Sequence, residues 1–120
     1  MKISYNTLDN TQKQFKLIDG VYSIENDRLT KWMWTAQEFS GVVNNIEYIT
    51  LSIMTNIKNK LIYEDKSIDL NTECLNLLKI KMSGKTEFKF KLELPYEVNN
   101  DSRSLGVMLV GIKVEDDIIF

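Results

Sequence analysis

Two tryptophans stand two residues apart in Lys31-Trp32-Met33-Trp34-Thr35. In an extended chain that spacing puts both rings on one face. A row of rings on an exposed sheet face can stack on the apolar side of a pyranose, while nearby polar groups fix its hydroxyls. Tyr22, on an adjoining segment, extends the row. The competing reading turns the pair inward, because tryptophan is heavily buried on average; Met33 then points the other way.

Asp101 and Arg103 flank a turn in Asp101-Ser102-Arg103-Ser104. A carboxylate and a guanidinium fork at that spacing either pin the loop against the following strand or line a cleft as a polar pair. Two carboxylates can hydrolyse a glycosidic bond when they converge, and Glu25 with Asp101 is the first pair to consider. With 17 acidic residues in 120, however, some pair always lies close. Asp65, Asp69, Asp116 and Asp117 offer hard oxygens near turns but lack the spacing of a calcium-binding helix–loop–helix.

The absences narrow the chemistry further. There is no histidine, which removes serine–histidine and cysteine–histidine catalysis and the usual zinc ligands. The five glycines are isolated, so no phosphate-cradling loop exists. Cys74 is the sole cysteine. Beside Leu75, Leu77 and Leu78 it reads as a small core residue. No cofactor is implied. The net charge of −2 lacks the basic excess of a duplex nucleic-acid binder, although a local basic patch stays open. No run of about 18 apolar residues marks a membrane-spanning helix. No leader-like segment opens the chain, and the disulfide-free composition fits a cytoplasmic setting.

The elements that position these residues read as strands. Phe88-Lys89-Phe90-Lys91-Leu92-Glu93-Leu94 alternates with period two, one face on a core and one in water. Ile49, Leu51 and Ile53 alternate with Thr50 and Ser52. Segments 15–18, 21–25, 31–36, 61–63, 68–70, 77–82 and 105–114 complete the set. The intervening signals Asp19-Gly20, Asn26-Asp27, Gly41 with Asn44-Asn45, Asn56 to Lys60, Glu64 to Ser67, Ser83 to Lys85, and Glu97 to Ser104 read as turns or bends. Over 71–82 a helical spacing of Cys74, Leu75, Leu78 and Met82 competes with the alternation Leu78-Ile80-Met82; the strand is preferred. Strands at roughly ten-residue spacing predict an all-β, antiparallel two-sheet sandwich of about eight strands. It occupies residues 15–120 as one domain, with 1–14 as a flexible arm or edge strand.

Gly20-Val21-Tyr22-Ser23-Ile24-Glu25, then Lys31-Trp32-Met33, then Asp101 to Val107 running into a strand that ends Gly111-Ile112-Lys113-Val114, resemble a jelly-roll module. That module is of the carbohydrate-binding type appended to bacterial glycosyltransferases and surface-polysaccharide enzymes. Lys31 stands where the module usually has arginine. The resemblance implies a non-catalytic jelly roll with a glycan or polysaccharide as ligand. The matching positions are Tyr22, Glu25, Trp32, Asp101 and Arg103.

The expected function is therefore non-catalytic carbohydrate binding at Tyr22, Glu25, Trp32, Trp34, Asp101 and Arg103. The alternative is a protein-interaction or assembly module, of the sort found in virion, tail or capsule complexes. It would have a protein partner or form a homo-oligomer through an apolar patch near Ile118-Ile119-Phe120. A two-carboxylate hydrolase is the third reading.

Overall fold

The computed structural model describes residues 3–6, 13–95 and 105–120. Ten strands and no helix occupy them: β1 (Ile3–Asn6), β2 (Gln14–Asn26), β3 (Lys31–Asn44), β4 (Tyr48–Met54), β5 (Asn59–Tyr63), β6 (Lys66–Leu70), β7 (Asn76–Lys81), β8 (Glu87–Leu92), β9 (Met108–Val114) and β10 (Asp117–Ile118). All pairing is antiparallel. The all-β expectation holds, with more strands than the eight or so read from the sequence.

The strands run β6-β5-β8-β3-β9-β4-β7, with β2 on the other edge of β3, β1 on β2 and β10 on β9. Strand β3 organises this path because two partners share one of its edges. Met33 and Trp34 face Leu109 and Met108 of β9, whereas Glu38 to Val42 face Lys91 to Glu87 of β8. The sheet therefore parts along β3 and curls into a nearly closed, barrel-like shape. Its open side lies between β6 and β7, each hydrogen-bonded to one neighbour.

Alternation fills the interior. Phe88, Phe90 and Leu92 point in while Glu87, Lys89 and Lys91 point out. Phe15 stacks on Phe88 with centroids 5.3 Å apart, and Phe90 packs against Phe39 at 5.1 Å and Tyr63 at 4.9 Å. Each such buried ring contributes about 1.5–3 kcal/mol relative to exposure. Ile49, Leu51 and Ile53 of β4 are buried and Thr50 and Ser52 are not, the pattern the sequence predicts. Among the described residues, no buried side-chain polar atom lacks a hydrogen-bond partner.

Two local readings change, and one open choice falls to the reading the sequence preferred. Asp19-Gly20 and Gly41 are not turns: β2 and β3 run through them, and the Asp19-Gly20 signal coincides with a register irregularity. The ambiguous 71–82 segment is a bend followed by strand β7, with Leu78 half-buried and Ile80 and Met82 buried. Cys74 is exposed rather than core. The buried residue of that bend is Asn76, whose amide donates to the Ile53 carbonyl at 3.1 Å and the Asn71 carbonyl at 3.0 Å and accepts from the Asn71 N–H at 2.9 Å. A polar anchor, not a hydrophobic one, fixes this connection and leaves Leu75 and Leu77 outside. The Glu97–Ser104 loop lies outside the described residues.

Candidate functional site

The outer face of β3, β9 and β4 is apolar at one end. Met33 and Thr35 of β3 are fully buried, so alternation sends Trp32 and Trp34 outward, where both are half-buried. The inward reading of the tryptophan pair is thus replaced by an outer-face placement. Trp34 faces Met108 directly across the β3–β9 ladder, and Met108 faces Met54 across β9–β4. Directly paired residues share a face and touch or nearly touch, so Trp34, Met108 and Met54 form one row. Val110 lies at the register shift between the pairs Ser52–Gly111 and Ile53–Leu109. A bulge of this kind puts an extra side chain on the face.

Three connections raise the walls of this face. The β2–β3 turn is fixed by Asp27, whose Oδ1 accepts from the N–H groups of Leu29 (2.9 Å) and Thr30 (2.8 Å) and from the Thr30 hydroxyl (2.9 Å). These bonds, Leu29 foremost, hold the Asp27 carboxyl below the usual carboxylate range. The turn presents Leu29 at 93% exposure. After β10 the chain folds back along β9: the Ile119 N–H donates to the Ile112 carbonyl at 2.8 Å and the Ile112 N–H to the Phe120 carbonyl at 3.2 Å. That places Phe120 at the site. Leu75 enters from the bend that Asn76 anchors. The result is an open groove of about 820 Å³ lined by Leu29, Trp32, Met54, Leu75, Met108, Val110 and Phe120, with Thr30 and Lys31 as its polar side chains.

The sequence-predicted residues fall as follows. Trp32 lines the groove and Trp34 lies on the same face. Glu25 is the direct cross-strand partner of Trp32. Tyr22 lies in the irregular stretch of β2 between the pairs Val21–Thr35 and Ile24–Met33, beside the position of Trp34. Tyr22 and Glu25 are half-buried. Asp101 and Arg103 lie outside the described residues, and with Asp101 one member of the Glu25–Asp101 carboxylate pair. Among the described residues no group of three acidic or cysteine side chains gathers as a metal site; Asp65 and Asp69 belong to the β5–β6 hairpin and Asp116 and Asp117 to the β9–β10 turn.

Sequence reasoning missed Leu29, Met54, Leu75, Met108 and Val110. Their signal was an apolar residue at an outward position: leucine in an otherwise polar turn, and a strand apolar on both faces. Comparison with protein-family models, with curated proteins and with solved structures gave no match. The groove itself is what bears on function.

Proposed function

We propose that the chain is a non-catalytic interaction module that seats an apolar segment of a partner protein in the groove between the β2–β3 turn and Phe120. The supporting observation is the lining: seven apolar side chains against two polar ones. A sugar site needs several hydrogen-bonding side chains aimed at hydroxyls, and a small ligand is normally buried over most of its surface. An open apolar trough offers neither. It suits a side-chain anchor of a larger partner, with tryptophan as the rigid contact and two methionines that repack around it.

The test is selection of binding peptides from a random library on the intact protein, followed by mapping with NMR. Peptides carrying at least two apolar anchors are expected, shifting the Met54 and Met108 methyls and the Trp32 indole. Trp32→Ala should weaken them at least about tenfold, the loss of one central anchor. Peptides that bind elsewhere, or are indifferent to Trp32→Ala, sink the reading. Self-association that Trp32→Ala abolishes would identify a second copy as the occupant.

A second reading is supported by one arrangement: Trp32, Trp34, Tyr22 and Glu25 come together on adjoining strands β2 and β3. Rings beside a carboxylate suit a glycan, as the resemblance to bacterial polysaccharide-associated jelly-roll modules implies. The sharing of β3 between β8 and β9 supports the two-layer form of that fold. A glycan array with tryptophan fluorescence decides it: an oligosaccharide whose binding is lost in Trp34→Ala favours this reading, and silence across the array removes it.

A further inference from the structure

The open side of the sheet carries a second surface, separate from the apolar groove. Strands β6 and β7 each use one edge for pairing, with β5 and β4, and no backbone hydrogen bond joins them across the gap. A cleft of about 410 Å³ lies between these edges. Its apolar side chains include Ile68 of β6 and Ile80 of β7. Four lysines line it, Lys66, Lys79, Lys81 and Lys85, against one carboxylate, Glu64. Glu64 is ion-paired with Lys85, and Lys79 Nζ sits 4.0 Å over the Tyr48 ring. Lys66 and Lys81 are exposed and make no ion pair among the described residues. In a chain of net charge −2 this is a concentrated positive strip.

We propose that this cleft receives an extended acidic peptide segment of a partner protein, which adds as a strand to an edge of β6 or β7. Free N–H and C=O groups on a sheet edge are a template for an extended ligand backbone. Alternate side chains of such a segment point in opposite directions. On the β7 edge apolar ones lie on the face of Ile80 and acidic ones on the face of Lys81, while Lys66 and Ile68, two apart on β6, share the face that borders the cleft from the other side. A nucleic acid or a sulfated glycan would use the charge but not the strand edges. The same lysines also guard an edge against self-pairing, and the experiment separates the two roles.

The probe is a fluorescein-labelled heptapeptide alternating valine and glutamate, titrated into the full chain and followed by polarisation. Saturable binding is expected, weakening as salt rises. The double variant Lys66→Glu, Lys81→Glu should weaken it about tenfold or more, with circular dichroism unchanged because both side chains are exposed. A heptapeptide N-methylated at alternate residues, which keeps the charge and removes the edge bonds, should bind at least about tenfold more weakly. Three results overturn the proposal: no binding at millimolar peptide, which leaves the lysines as edge guards; full binding by the N-methylated peptide; or tighter binding by a sulfated oligosaccharide or single-stranded DNA, which makes the cleft a polyanion site.

Discussion

Gly106→Ala is expected to destabilise the fold severely, because Gly106 lies where the segment before β9 docks onto β3. A Cβ added there meets the Ala36 carbonyl oxygen at 2.2 Å, its carbon at 2.8 Å and Thr35 Oγ1 at 2.9 Å. An ordinary carbon–oxygen contact is about 3.3 Å, so the two backbones must part by about 1 Å. Two backbone bonds close this junction, the Gly106 N–H donating to the Thr35 carbonyl at 2.7 Å and the Thr35 N–H to the Val107 carbonyl at 2.9 Å, and the Val107 N–H also donates to Thr35 Oγ1 at 3.2 Å. A separation of about 1 Å takes both beyond hydrogen-bonding range. Thr35 and Val107 are fully buried, so water cannot replace the lost partners. At about 1–3 kcal/mol per unsatisfied buried group, the variant loses about 2–6 kcal/mol. That is a large part of the roughly 5–15 kcal/mol that holds a domain folded, and lowers Tm by about 10 °C or more. Gly84→Ala is the internal control. Nothing lies within 4 Å of its added Cβ, and the cost is that of an alanine at φ +75°, about 1–2 kcal/mol. Urea unfolding followed by circular dichroism measures both. A loss below about 1 kcal/mol for Gly106→Ala, or one no larger than that of Gly84→Ala, refutes the steric argument.

Two further predictions concern carboxylates. Glu115 accepts from Lys13 Nζ at 2.5 Å and from the Glu47 N–H at 2.9 Å; these bonds, Lys13 first, hold its carboxyl below the ordinary value of 4.5. Its contribution to stability is therefore complete above about pH 4.5 and disappears as pH falls through the lowered value. Glu115→Gln should flatten the acid limb of stability against pH between about 5 and 3, and parallel curves for the two proteins would dispose of the assignment. Asp27→Ala removes the acceptor of three bonds in the β2–β3 turn, so amide exchange at Leu29 and Thr30, compared at one pH, should quicken. Unchanged exchange would mean that the turn is held by something other than this carboxylate.

The alternation of Phe88 to Leu94 and of Ile49 to Ile53 was enough to read an all-β chain, because one residue of slip would turn each row into water. The strand count was less legible. Glycine and asparagine mark irregularities inside a long strand as readily as turns between short ones, so β2 and β3 read as fragments. Cys74 shows a different limit. Its leucine neighbours suggest a core, yet the amide of Asn76 takes the inward position, because three hydrogen bonds to a bend outweigh a leucine that can stay at the surface. For the site, the spacing of Trp32 and Trp34 placed them on one face, but which face depended on Met33 being buried across from Leu109 and Thr35 across from Val107. The groove is built from β3, β4, β9 and three connections distant in sequence, and periodicity within a single strand carries no record of which strands become neighbours.

The position of β9 has a bearing on how the molecule is assembled. Among the described strands, β9 is the one whose backbone pairing ties the β4–β7 pair to the rest of the sheet. It also comes after every other described strand except β10 in chain order. Until residues 108–114 emerge, the nascent chain holds two incomplete pieces, each with an uncovered strand edge. The closing step is non-local, joining β9 to β3 across more than half the chain length and to β4 across about half of it, and such steps are slow. In that interval the same open edges can recruit a neighbouring chain, so the molecule is most exposed to misassembly through its central strands, before β9 docks, rather than through the finished borders at β6 and β7.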